Sequence, residues 1–407
     1  MTYAEEILSQ MPRIYKPQIT FMCNYFDTLS RFQGRATLMN LYRYGGPHPR
    51  TASRWFHQYF NYIDFNRLCL EKKGILEHST VLAMDETFGK KSGKKTFGKG
   101  WFWNGCANKQ ERGLLFSVVA LVDLDEKTAY TIDAKQVLPE AERAKDAPKT
   151  STAQAVEQLE KNKEKFLSLS KILLVDGGYA KETFLTPVCK LGFTIVGKMR
   201  YDANLRYLYD GPYSGRGAPK KYDGKVDWND LSRWEVLETE NSRIYHKVVN
   251  SPAFKRNINI VRIHFLKDGK VTSRINLYST DLSMSAKEIC QLYQHRFQIE
   301  FIFRDAKQHT GLADGQIRHQ QGLHHHWNLS LAATNLFRLE DRQWQREHAD
   351  PDTPRRVQVV SLQDWKRWKY NAFLLERFID VFGIDPDMQL NQQRIHEVLQ
   401  TGLRFAA

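Results

Sequence analysis

The chain has 407 residues, with 60 lysines and arginines against 46 aspartates and glutamates, and a formal net charge of +14. Hydrophobic residues at 42% and charged residues at 26% exclude a disordered or collagen-like chain, and the length suits two or three domains. No apolar run reaches the roughly 18 residues of a membrane span, the opening residues do not read as a secretory signal, and the surplus charge points to a polyanion, nucleic acid first.

The charge is clustered. Residues 1–75 carry +5, residues 86–112 carry +5 and residues 198–280 carry +7, which leaves the remainder at −3. Clustered cations suit surfaces that meet a phosphate backbone. Cys23, Cys69, Cys106, Cys189 and Cys290 form no Cys-x-x-Cys pair. Neither a disulfide framework nor a zinc ribbon is expected, and a reducing cytoplasm is the simplest setting.

Residues 35–44 place apolar groups at helical spacing, and Gly45-Gly46-Pro47-His48-Pro49 breaks the helix. A second helix is expected from a Thr51 cap through Phe60, with Arg50 and Arg54 at its start. That layout is helix-turn-helix-like. From residue 80 the pattern becomes short apolar strands: 80–84 ending at Asp85, 113–122, and 129–138. A helix is expected over 151–169, capped by Ser151 or Thr152. A buried strand at 171–175 then ends at Asp176, a helix runs to Lys190, and a strand covers 193–197. Strands alternating with helices indicate an α/β domain. Residues 199–280, rich in Gly, Tyr, Arg and Lys, read as a β-rich insertion with basic loops. One helix is expected from Ser285 to about Thr310, another over 322–339, and a mostly helical region over 341–407.

Two observations concern chemistry. Asp85 and Asp176 each follow an apolar strand, where α/β enzymes place polar groups. Glu86 adjoins Asp85, so position alone leaves the choice between them open. On the helix over 285–310, Tyr293, Arg296, Glu300 and Lys307 fall on one stripe about 60° wide. Phe297, Ile299, Phe301, Ile302 and Phe303 surround it, so the stripe faces a site rather than open solvent. Three carboxylates suit Mg²⁺ or Mn²⁺, and two such ions can act together in phosphoryl transfer. Arg296 and Lys307 would meet phosphate, with Tyr293 hydrogen-bonding a phosphate oxygen. His324-His325-His326 looks like a metal cluster, but consecutive helical side chains diverge.

These residues resemble those of the DDE transposases of bacterial insertion sequences, in the subgroup with a Tyr-Arg-Glu-Lys signature. The likeness lies in Asp85 of Ala-Met-Asp-Glu-Thr, Asp176 of Leu-Val-Asp-Gly-Gly-Tyr, and Tyr293, Arg296, Glu300 and Lys307, and it covers roughly residues 30–340. The resemblance implies an RNase H-like catalytic core interrupted by the β-rich insertion. The expected organisation is a helical DNA-binding domain over 1–75, core over 76–198, insertion over 199–280, core over 281–340 and a helical C-terminal region over 341–407. It further implies an enzyme with Asp85, Asp176 and Glu300 as catalytic residues holding two Mg²⁺ or Mn²⁺ ions. That enzyme would cleave at transposon ends through a DNA hairpin and transfer the strands into target DNA.

The implied partners are double-stranded DNA, comprising inverted-repeat ends and target, and a second copy of the chain on that DNA. No membrane is implied, and the location is the bacterial cytoplasm and nucleoid. A tryptophan of the insertion, Trp228 or Trp234, would stack on a flipped base. Lys90, Lys91, Lys94 and Lys95 in a Lys/Gly loop would follow the DNA backbone, as would Arg50 and Arg54. Trp101 and Trp103 are expected to begin a strand rather than bind bases. A DNA-binding relative that no longer cuts, and a nuclease without strand transfer, are the alternatives.

Overall fold

A computed structural model describes residues 2–142, 150–213, 215, 217–347, 361–383 and 389–403. Helices α1 (Tyr3–Gln10), α2 (Lys16–Arg31), α3 (Leu38–Arg43), α4 (Pro49–Trp55) and α5 (Tyr62–Lys72) come first. Strands β1 (Thr80–Lys90), β2 (Gly100–Asn104), β3 (Lys109–Asp123) and β4 (Thr128–Val137) follow. Then come α6 (Ser151–Lys161), α7 (Lys163–Leu167), β5 (Ile172–Val175), α8 (Glu182–Lys190) and β6 (Thr194–Met199). The insertion supplies β7 (Arg206–Leu208), β8 (Tyr222–Lys225), β9 (Glu235–Thr239), β10 (Ser242–Ser251), β11 (Arg256–Lys267) and β12 (Lys270–Ser279). Helices α9 (Ala286–His295), α10 (Gln298–His309), α11 (Gln320–Glu347), α12 (Leu362–Phe382) and α13 (Gln389–Gln400) complete the order. Parts of the expected C-terminal helical region, 348–360, 384–388 and 404–407, lie outside the described residues, as do Ser214 and Arg216 of the basic loop.

Several helix boundaries depart from expectation for local reasons. The His48 imidazole, not Thr51, accepts the Arg50 N–H at 3.2 Å, and Pro49 takes the first turn of α4, where its missing N–H has no partner to lose. The helix stops at Trp55, so 57–60 is not helical. Ala52 and Phe56 are buried while Arg50 and Arg54 stay exposed. Thr150 caps α6, accepting the Ala153 N–H at 3.1 Å, and Asn162 separates α6 from α7.

Twelve strands form one mixed sheet in the order β2-β3-β1-β5-β6-β12-β11-β10-β7-β8, with β4 beside β3 and β9 beside β10. Among the described residues only the β1–β5 and β5–β6 pairs are parallel. The insertion is continuous with this sheet: β12 pairs antiparallel with β6, from Asn276 opposite Met199 to Ser279 opposite Val196. Side chains alternate across the sheet. Leu82 and Met84 enter the core shared with α6, α8 and the N-terminal helices. Val81 and Ala83 enter the core shared with α9, α10 and the start of α11.

The outer edge of β4 is closed by asparagines of α11. Asn335 accepts the Thr131 N–H at 2.9 Å and donates to the Thr131 carbonyl at 2.7 Å. Asn328 does the same for Ala134, at 3.0 and 2.8 Å. Side-chain amides thus stand where a further strand would pair. One turn away the three consecutive histidines diverge. His325 lies 4.7 Å from the Phe56 ring, and His326 Nε2 accepts the Gly315 N–H at 3.2 Å. The Asn328 side chain meets His324 Nδ1 at 3.2 Å. No shared ion is compatible with that divergence.

Asn335→Ala leaves two buried backbone groups of Thr131 without partners and should cost about 2–4 kcal/mol in urea unfolding; a loss below about 0.5 kcal/mol would refute the edge-closing role. Burial also holds His325 down at about 3 and His326 at about 4, with neighbouring cations and histidines assisting, against an ordinary 6.5. Above that ordinary value both folded and unfolded states are neutral. Below it the unfolded chain takes up protons that the fold refuses, so stability falls as pH drops from 6.5 towards 4. His325→Leu, at a site ringed by Phe56, Phe60 and Tyr62, should flatten the fall of Tm across that window; an unchanged slope would contradict it.

Candidate active site

Asp85 and Asp176 are brought together by parallel pairing. Met84 stands opposite Val175, so the two aspartates are the next residues on adjacent strands. β5 ends there, and Asp176 Oδ1 accepts the Gly178 N–H at 2.9 Å, capping a short 3-10 turn. β1 does not end at Asp85 as expected. It continues to Lys90 because β3 pairs with it along its whole length, with Asp85 opposite Val118 and Lys90 opposite Gly113.

Alternation settles which acid of the Asp85-Glu86 pair faces the helices. Asp85 shares the face of Val81 and Ala83, towards α9 and α10, whereas Glu86 shares the face of Leu82 and Met84. Glu86 is held by burial at about 7, with Ser151 and Lys181 opposing the rise and Asp85 and Asp176 adding to it. Sequence reading leaves Glu86 undecided, although period-two alternation from Val81 contains the answer.

The expected single helix over 285–310 is two helices. Tight hydrogen bonds from the Arg296, Ile299 and Glu300 N–H groups, to Tyr293, Arg296 and Phe297 respectively, replace the α-helical pattern at the junction. Ile299, Ile302 and Phe303 are buried, but Phe297 at the bend is 49% exposed. The bend delivers Arg296 between two acids. Its Nη1 donates to Asp85 Oδ2 at 2.9 Å and its Nη2 to Glu300 Oε1 at 2.6 Å. The expected phosphate ligand is therefore committed to carboxylates in this state. Desolvation works against the guanidinium charge, yet Asp85, Glu300 and Tyr293 together hold its pKa above the ordinary arginine value.

Asp85 reports the convergence of all three acids. Burial raises it to about 6; Arg296 opposes, while Asp176 and Glu300 add to the rise. Tyr293 lies with its ring 5.8 Å from the guanidinium, and burial raises its hydroxyl pKa while Arg296 opposes. Lys307, further along α10, is half-buried; desolvation lowers its ammonium pKa, and Cys106 at the β2–β3 turn opposes that.

The carboxylate set fits divalent cations chemically: one arginine pairs with Asp85 and Glu300, and the three acids outnumber it in a partly desolvated site. Among the described residues, however, the cluster of three ligand atoms within 4.8 Å of one another is His78, Asp123 and Asp125, not the triad. That cluster lies at the other end of β1 and is already hydrogen-bonded. Asp123 Oδ2 meets His78 Nδ1 at 2.7 Å, its Oδ1 accepts the Asp125 and Glu126 N–H groups, and Asp125 accepts the Ser79 N–H at 3.0 Å. In the triad, the Arg296 guanidinium stands between Asp85 and Glu300.

The other expected contacts scatter. Lys91 donates to the Ala313 and Gly315 carbonyls at 2.6 and 2.8 Å, so it ties a loop rather than standing free. Lys90, Lys94 and Lys95 are exposed. Trp234 is only 5% exposed, and its indole N–H donates to the Tyr207 hydroxyl at 3.0 Å, which removes it as a stacking surface. Trp228 is half-buried beside a cavity of about 360 Å³ and carries Arg262 over its ring at 4.6 Å. Arg262, buried among Ile258–Phe265, has no signal in the sequence that marks it.

Arg296→Gln removes charge-assisted bonds to two partly desolvated acids. It should lower the metal-free Tm, with a loss of roughly 2–3 kcal/mol, and enlarge the rise in Tm on adding Mg²⁺. A variant with wild-type Tm and an unchanged Mg²⁺ response would show that Arg296 does not hold the acids.

Among the described residues no helix is long and apolar enough to cross a membrane. No curated protein matches the chain. The family described as Transposase DDE domain matches residues 77–336, from the turn before β1 to within α11. The mixed α/β architecture with its large mixed sheet is consistent with an RNase H-like domain of that family. The match spans more than half of the chain and contains the two aspartates, Arg296 and Glu300: the chain belongs to the transposase DDE domain family.

Proposed function

We propose that this protein is an insertion-sequence transposase of the Tyr-Arg-Glu-Lys subgroup that cleaves DNA at element ends and transfers the freed strands to a target. The observation that carries the reading is the placing of Asp85 and Asp176 as the next residues on adjacent parallel strands, with Arg296 bonded to Asp85 and to Glu300 of α10. Family membership makes DNA the expected substrate and divalent metal the expected cofactor.

Asp85, Asp176 and Glu300 are the residues that would hold two Mg²⁺ or Mn²⁺ ions. When bound, such ions activate the attacking oxygen and stabilise the leaving one. The chain's own work is to bind and orient. In this reading Arg296 would leave Asp85 and Glu300 and turn its fork of donors to the scissile phosphate. Tyr293 hydrogen-bonds a phosphate oxygen, and Lys307, on the helix that follows, pairs with phosphate charge. Lys90, Lys94 and Lys95 flank the entering backbone, and exposed Arg50 and Arg54 of α4 read the end sequence. Trp228, which lines a cavity and carries Arg262 over its ring, would receive a flipped base in this reading. A DNA hairpin intermediate and a DNA-bound homodimer complete the proposal.

Asp85→Ala, Asp176→Ala and Glu300→Ala should each reduce Mg²⁺-dependent cleavage of an end-bearing duplex by at least about 10³-fold while end binding stays within about twofold. Normal cutting by any of the three would remove it from the site. Binding without cutting by the wild type would favour a non-cleaving relative, and cutting without joining into a plasmid would favour a plain nuclease.

A further inference from the structure

The β2–β3 hairpin carries two aromatic side chains that packing does not explain. β2 pairs antiparallel with the start of β3, Trp101 opposite Arg112 and Trp103 opposite Gln110. Residues two apart share a face. On the inner face Phe102 packs against Phe88, Leu115 and Val137. On the outer face Trp101 and Trp103 are 65% and 57% exposed. The strand therefore forms as expected, but its two indoles are left in solvent, on an edge where large apolar groups are a liability.

The surroundings say what fits them. A groove of about 370 Å³ beside Trp101 is lined by Lys90, Lys99, Lys109 and Arg112, with Glu111 as its acid. Glu111 is held by Asn104 at 2.7 Å and shares Lys90 and Lys109. Lys90 is the last residue of β1, five after Asp85, so the hairpin prolongs the sheet past the edge where the acids stand.

We propose that Trp101 and Trp103 form a stacking platform for unpaired bases of the DNA strand leaving the cleavage site, with Lys90, Lys99 and Arg112 on its phosphates. Duplex DNA offers groove edges and phosphates, whereas opened strands offer base faces. A ring of like charge repels a second copy presenting the same patch and attracts a polyanion, so a strand of DNA is the occupant rather than another protomer. The proposal rests on the DNA-cleaving reading above, and it concerns a surface distinct from Trp228.

The test uses the full-length protein in EDTA, with binding read by fluorescence anisotropy on oligo(dT) of about 20 nucleotides and on a duplex of about the same length. Trp101→Ala/Trp103→Ala should weaken oligo(dT) binding at least about tenfold and duplex binding less than about twofold. Trp101→Phe/Trp103→Phe should retain most oligo(dT) affinity, which separates lost stacking from lost folding. Oligo(dT) affinity that is absent in the wild type, or equal in the alanine variant, overturns the proposal. So does a drop in oligomer mass by light scattering in the alanine variant, which would mark a self-interface. Duplex cleavage in Mg²⁺ is scored separately: a wild type that cleaves without Trp-dependent oligo(dT) binding refutes the platform alone. A wild type that binds oligo(dT) through the tryptophans but never cleaves refutes the enzyme reading alone.

Discussion

Arg296 bonded between Asp85 and Glu300 is the interaction on which the site depends. Three carboxylates gathered at one edge would repel one another in a partly desolvated setting, and burial already raises Asp85 to about 6 with Asp176 and Glu300 adding to it. The guanidinium offsets that repulsion with two short charge-assisted bonds. It can reach both acids because the chain tightens at Arg296–Phe297 and splits what periodicity reads as one helix. The same charge would make the arrangement responsive, because a cation held by the acids would compete with the arginine.

The sheet sets the geometry around that bond. Parallel pairing of β1 and β5 makes the aspartates neighbours, the next residues after Met84 and Val175. β12 seals against β6, so the insertion joins the core sheet through backbone hydrogen bonds and its position relative to the acids is fixed by register. On the far side, α11 closes β4 through Asn328 and Asn335 while its other face buries Trp327 against Phe116 at 3.9 Å between ring centroids. One helix thus supports the edge of the sheet and the packing behind α10.

Much of this is legible from sequence, and the failures have physical causes. Buried parallel strands read as apolar runs, which is why 171–175 and the acid after it stand out. β1 is harder, because the residues after Asp85 are extended by pairing with β3 rather than by their own composition. The helix break at Arg296–Phe297 involves neither Gly nor Pro, so no local signal announces it; Ile299 and Ile302 just after it are fully buried. His48 as a cap competes with Thr51, a more common cap type, and wins because Pro49 fixes the first turn. The stripe of Tyr293, Arg296, Glu300 and Lys307 is legible in the spacing, but not that Arg296 would face carboxylates. The fate of Trp228 and Trp234 is set by contacts across strands that no spacing encodes.

The central claim is that Asp85, Asp176 and Glu300 together hold divalent metal, and calorimetric titration of Mn²⁺ into the protein bound to end DNA tests it most directly. The wild type should take up two ions per chain, and the triple variant Asp85→Asn/Asp176→Asn/Glu300→Gln should take up none. If the triple variant binds Mn²⁺ as the wild type does, the metal lies elsewhere, with His78, Asp123 and Asp125 the next place to look, and the account of the site is wrong.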